Sequence, residues 1–251
     1  WARIGLIAAL SFIYIAMFIG FGLAISSRME GSSTSLLVLL LIWVVLVVLV
    51  PNTLGSVVST LRQVPSQREF QQRRESLMQS FWNKSGDELF KYGSPTQPNP
   101  NIKAIELMAN YITTRLETET RLDDGHLDAQ FAQVQFASQI LRVSPTAIYN
   151  YAMEALAGTG FERHRQFVNA ARRYRQQFIE FIQEADRADP DSFHIYYLKE
   201  GLSNKPVSFE AVPRFVEPSG VGVAMRSALV DFSLLLVMAV ACFMGSYVAF
   251  L

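Results

Sequence analysis

The sequence predicts an all-α chain in which apolar membrane helices flank an inserted helical bundle. Three observations predict it. Charge is segregated: residues 52–226 carry 20 basic and 20 acidic side chains, while the other 76 residues carry only Arg3, Arg28, Glu30 and Asp231. Residues 4–25 run for 22 positions without a charge, about 33 Å of helix and enough for a bilayer core. Within 52–226, apolar side chains recur at three-to-four spacing, and no run alternates clearly with period two. The expected boundaries are therefore 1–52 for a two-helix transmembrane hairpin, 53–226 for the polar module and 227–251 for the last membrane helix.

Taken in order, the second apolar segment is Leu36–Val50, 15 unbroken apolar residues that reach spanning length with Ser33–Ser35 before and Pro51-Asn52 after. Ser26–Ser35, small and polar, makes a tight turn between the first two helices, so they are antiparallel neighbours. Leu54, Val57, Val58 and Leu61 keep helical spacing, so this helix continues past Pro51 with a kink. Pro65 breaks it, and Ser66 followed by Glu69 is a capping box opening a helix to about Trp82. Gly and Pro punctuate a loop over 83–101. Residues 102–122 read as a helix ended by Asp123-Asp124-Gly125, and His126–Val143 as a second one. Ser144-Pro145 is an N-cap with Pro at the first helical position. The short helix it opens stops at Gly158-Thr159-Gly160. From Phe161 a helix runs to Asp189-Pro190, with Phe167, Val168, Ala171, Tyr174, Phe178, Phe181 and Ile182 forming its apolar stripe. Residues 203–220 hold three prolines and read as an extended lead into the last membrane helix.

Composition and motifs exclude more than they assign. Lys+Arg and Asp+Glu are both 22, a balance that argues against nucleic acid as a partner. Cys242 is the single cysteine, so no intrachain disulfide and no Cys-based metal cluster exist. No GxxxxGK[ST], HExxH or GxSxG string is present, so no catalytic residue, bound cofactor or metal ligand is assigned. His126, His164 and His194 stand far apart on different predicted elements. Gly158-x-Gly160 reads as a helix–turn–helix corner before it reads as an anion site.

The remaining candidates are charges in unusual places. Asp231 lies a few residues inside the last apolar segment, where an ionisable group is a functional candidate by default, although its place near the interface favours a partly hydrated carboxylate. Arg28 and Glu30 are the only charges of the hairpin loop. Arg163, Arg172 and Arg173, with Arg165 and Arg175, make the densest basic helix face; interleaved Glu162, Glu180 and Glu184 favour a solvated surface over an anion site.

Two stretches carry a resemblance to a known family. In the first, Trp43, Pro51, Pro65, Ser66, Glu69 and Phe70 hold the places of a Ser-rich turn, a Trp-containing helix and a Pro-Ser-x-x-Glu-Phe-like segment. The second includes Ser144-Pro145, Glu154–Gly160, His164, Arg173-Tyr174, Lys205-Pro206 and Pro213-Arg214-Phe215. In these strings the chain resembles the permease subunits of ABC-2 type transporters, in the branch with a large helical extracytoplasmic domain. The resemblance implies six membrane helices in a full subunit, of which the three here are the last three. It implies a cytoplasmic hairpin loop, a module outside the cytoplasm and a bacterial inner-membrane location. The entry arginines Arg62, Arg68, Arg73 and Arg74 outnumber Arg28 and taken naively put the module inside, but long domains cross largely regardless of charge.

The function so implied is non-catalytic: a permease, exporter-like, driven by a separate ABC ATPase subunit that holds ATP and Mg. Its other expected partners are a second permease subunit, as homodimer or heterodimer, membrane lipid and an extracytoplasmic protein. The rival expectation is a membrane receptor whose helical external domain senses a ligand.

Overall fold

The computed structural model describes residues 1–61, 63–89, 91–196, 198–217 and 220–250, apart from the side chains at 56–60, 200 and 221. Of the expected features, Arg62, Pro218, Ser219, Leu251 and the Val57 and Val58 side chains lie outside the described residues. The chain is 77% helical, with no strand among the described residues. Its elements are α1 (Ala2–Ser26), α2 (Ser32–Trp43), a π-helical segment (Val44–Leu49), α3 (Val50–Leu61), α4 (Gln67–Leu89), α5 (Ile102–Leu141), α6 (Pro145–Ala157), α7 (Phe161–Arg187), a 3₁₀ turn (Lys199–Gly201) and α8 (Val221–Phe250). Among the described residues, three helical stretches are long and apolar enough to cross a membrane: Ala2–Ser26, Ser32–Gly55 and Gly222–Phe250.

Several boundaries moved, each for a local reason. The capping box is formed, with Ser66 N–H donating to Glu69 Oε2 at 2.9 Å and Glu69 N–H to Ser66 Oγ at 3.3 Å. The helix it opens passes the expected end at Trp82 and runs through Gly86 to Leu89. The break expected at Asp123-Asp124-Gly125 is absent, and α5 is one helix of 40 residues. An interior Gly costs only about 1 kcal/mol relative to Ala. Asp124 is held in place by Arg172 Nε at 3.0 Å and Arg175 Nη2 at 2.8 Å, and its carbonyl accepts from Arg172 Nη2 at 3.1 Å. The last helix starts at Val221, six residues before the expected Ser227. α6 begins and ends as expected, with Pro145 in its first turn and Gly158 closing it at φ 77°.

The chain forms two compact units. Unit 1 is Trp1–Gln63, Phe131–Asn169 and Glu217–Leu251; unit 2 is Val64–Gln130 and Ala170–Val216. This division cuts across the expected 53–226 module, because residues 131–169 go with the apolar helices. Helices α5 and α7 each contribute to both units.

In unit 1, α1, α6 and α8 share one core: Leu10 and Met17 from α1, Ile148, Ala152 and Leu156 from α6, and Ala228, Leu235 and Ala239 from α8. Small residues set the spacing. A Cβ on Gly20 would lie 3.3 Å from both the backbone nitrogen and the ring of Phe243, so Gly20 lets α1 and α8 touch along their backbones. Gly22, two residues on, faces open space.

In unit 2, α4, the first part of α5 and the second part of α7 are joined by ion pairs and rings. Arg172 also reaches Asp128 at 2.7 Å, Phe70 stacks on His126 with centroids 4.1 Å apart, and Tyr174 packs edge-on against Phe215. The coil after α7 is tied back by two buried carboxylates. Asp186 accepts from Ser192 Oγ at 2.6 Å, Ser203 N–H at 2.7 Å and His194 Nδ1 at 2.9 Å. Asp189 accepts from Ser203 Oγ at 2.5 Å and Lys205 Nζ at 2.6 Å.

Candidate functional site

The functional geometry of unit 1 gathers at Arg142–Ser144, the three residues between α5 and α6. Arg142 points at α8. Its Nε donates to Asp231 Oδ1 at 2.5 Å and its Nη2 to Asp231 Oδ2 at 3.0 Å, a two-pronged guanidinium–carboxylate fit. The Arg142 guanidinium also lies 5.6 Å from the Tyr151 ring centroid. Asp231 is 2% exposed. The hydrated interfacial carboxylate expected from the sequence is thus corrected to a buried, paired one. Spacing along one helix shows where a charge sits and says nothing of a partner 89 residues away.

Ser144, fully buried, points at the second apolar helix. Val50 N–H bonds to Val45 O across the π-helical segment, so the next bond in that pattern would run from residue 51 to Leu46 O. Residue 51 is Pro and has no N–H. The Leu46 carbonyl left open accepts instead from Ser144 Oγ at 2.8 Å. Ser144 is the N-cap residue expected, yet its hydroxyl does not cap its own helix.

Below this junction, α6 pairs with α1 residue by residue. Thr146 Oγ1 and Tyr14 Oη are 3.0 Å apart. Ser11 Oγ gives its hydrogen to Ile7 O at 2.9 Å, so Tyr149 Oη is the donor in the 3.0 Å Tyr149–Ser11 bond. The Tyr14 and Tyr149 rings stack at 4.4 Å. At the far end, a Cβ on Gly158 would lie 3.3 Å from Arg3 Nη1. Numbers rise along α6 as they fall along α1, so the two run antiparallel. Tyr14 is 11 residues past Arg3, about 16 Å along the helix and about half a bilayer core. The α5–α6 junction thus sits deep beside an apolar helix. Residues 129–153 fit that position: Arg142 is their single charge, and it is neutralised by Asp231. Val143, between the two anchoring side chains, is 66% exposed.

The other candidates are dispersed. Arg28 and Glu30 are exposed in the turn between α1 and α2. Arg163 pairs with Glu217 at 2.5 Å, Arg165 with Glu162 at 2.9 Å and Arg172 with Asp124 and Asp128, while Arg173 is exposed. The basic run is therefore mostly consumed by carboxylates and does not converge on an anion site. His126 stacks on Phe70, His164 meets Phe131 edge-on and His194 bonds Asp186, so the three do not meet. Among the described residues, no cluster of His, Cys, Asp and Glu has the arrangement to hold a metal. Gly158-x-Gly160 is a tight corner: a Cβ on Gly160 would come within 2.8 Å of Glu154 Cβ. In unit 2, hydrogen bonds from Lys205 and Ser203 hold the Asp189 carboxyl down at about 2, and those from Ser192, Ser203 and His194 lower Asp186 despite its burial.

Sequence reading missed Ser11, Tyr14, Arg142 and Thr146. Three of them had a signal: Ser11 and Tyr14 are polar groups one turn apart in an apolar run, and Arg142 is the lone charge in 25 residues.

No curated protein and no solved structure matches the chain. A family model covers residues 61–196, more than half of it. The chain belongs to the family described as domain of unknown function (DUF3526).

Proposed function

We propose that the chain is the membrane-embedded permease subunit of an ABC-2 type transporter, exporter-like, and does no chemistry itself. It works as a homodimer or heterodimer in a bacterial inner membrane. ATP and Mg are held by a separate ABC ATPase subunit, the turn at Arg28 and Glu30 lies in the cytoplasm, and the helical module lies outside. The observation that carries this reading is the Arg142–Ser144 junction. Two neighbouring side chains at the end of α5 fasten it to α8 through Asp231 and to the π-helical segment through Leu46. A π-helical segment is a common place for a helix to change geometry. A change in spacing between the two apolar helices therefore acts on α5 directly, which is how a driven membrane core would move an external module. The lack of a GxxxxGK[ST] string in this chain accords with an energy source on another polypeptide.

Affinity purification of the full-length protein from its native membrane in mild detergent tests the reading. An ATPase subunit recovered at matching stoichiometry is the expected result. Purification without an ATPase, together with saturable binding of a soluble ligand to the module, would replace the permease reading with the receptor one.

A further inference from the structure

A cavity of about 690 Å³ opens in unit 1 between the end of α5, α6, the start of α7 and the first turns of α8. Its size lies in the range of small-molecule sites. The α8 wall is Val223, Arg226, Ser227 and Asp231, one face of the helix at spacings of three, four and eight. Arg226 and Asp231 are the only charges of that helix, and both line the cavity. The rest of the lining is mixed, with Val134, Leu141 and Phe161 as its large apolar side chains beside polar Gln135, Ser138 and Gln139.

The charges around this cavity do not all cancel. Asp231 is taken by Arg142. Glu162 is taken by Arg165 and Gln166. Glu154 is exposed and lies against Gly160 at the N-terminal end of α7, with no ion pair or side-chain hydrogen bond among the described residues. Arg226 makes no ion pair or side-chain hydrogen bond among the described residues. A cation at the mouth of a cavity with large apolar side chains, on the first turns of an apolar helix, suits a ligand with one charged end and one greasy end.

We infer that this cavity binds an amphiphile with an anionic, phosphate-bearing head group. The phosphate sits on Arg226 and the chain lies along Val134, Leu141 and Phe161. This does not depend on an ATPase partner, so it stands or falls apart from the permease reading. The test is a titration of the full chain in decyl maltoside, followed by native mass spectrometry, with dioctanoyl phosphatidylglycerol, dioctanoyl phosphatidylcholine and inorganic phosphate as probes. The expected result is saturable binding of one phosphatidylglycerol per chain, at least tenfold tighter than phosphatidylcholine and not displaced by inorganic phosphate. Arg226→Gln should weaken it about tenfold, Arg226→Lys should retain most of it, and Ala137→Phe, which fills the cavity without changing charge, should abolish it. Arg226 is exposed, so its variants leave the fold intact. Equal affinity for the two lipids, non-saturating uptake, displacement by phosphate alone or an unchanged Arg226→Gln variant would each overturn the inference.

Discussion

The Ser144 hydroxyl donates to the Leu46 carbonyl at 2.8 Å, and that carbonyl is open because residue 51 is proline. A helix defect in one apolar segment and an N-cap residue almost a hundred positions later are thus two halves of one hydrogen bond. Ser144→Ala would leave the half-buried Leu46 carbonyl without its donor, at about 1 kcal/mol. Pro51→Ala restores an N–H to the α2–α3 helix and should relieve most of that loss. The check is a double-mutant cycle on thermal unfolding in detergent: Ser144→Ala alone lowers Tm, and Ser144→Ala with Pro51→Ala lowers it less than the two effects summed.

The Arg142–Asp231 pair makes different predictions for single and double changes. Removing Arg142 strands the buried Asp231 carboxylate, at about 3–5 kcal/mol, whereas removing Asp231 leaves a guanidinium that is 28% exposed, and replacing both with apolar residues is often near neutral. Arg142→Leu alone should therefore lower Tm or prevent folding, and Asp231→Leu should lower Tm less. The double variant should recover most of the stability while losing any coupling that depends on the pair. Thermal unfolding of the four proteins in one detergent checks this.

Gly125 is where sequence and structure disagree most about α5. In the helix interior with open space around it, Gly125→Ala should stabilise by about 1 kcal/mol. Had the chain broken there, with Gly125 closing a helix in the left-handed region, alanine would instead destabilise. Chemical unfolding followed by circular dichroism separates the two outcomes by sign.

Acid should loosen the coil after α7. Asp186 and Asp189 both titrate below the usual carboxylate range, Asp189 at about 2. A carboxyl lowered on folding contributes stability that is full above about pH 4, its unfolded value, and is lost as pH falls toward 2. Limited proteolysis across pH 5 to 2 should show cleavage rising within 191–205 in that window. Asp189→Asn should already be more sensitive at pH 5 and show a shallower rise.

Local signals were sufficient for much of the molecule. An uncharged 22-residue run identifies a span because burying a charge in hydrocarbon is costly at any position along it. Ser66 with Glu69, Pro145 at a helix start and Gly158 at its end each act within one turn, so their reading needs no partner beyond their own helix. The failures lie where a favourable contact from far along the chain outweighs a local preference. Asp124 and Gly125 look like a helix end until Arg172 and Arg175 arrive from α7. Asp231 looks wet until Arg142 covers it.

What this sequence determined alone is therefore its three apolar spans, its helical content and most of its helix starts, because those follow from side chains within a few residues of one another. What only the tertiary structure decided is where α6 lies and which groups answer Asp231 and Leu46. Those depend on pairings across about ninety residues or more, whose free energy exists only once α1, α6 and α8 have packed and water has left the space between them.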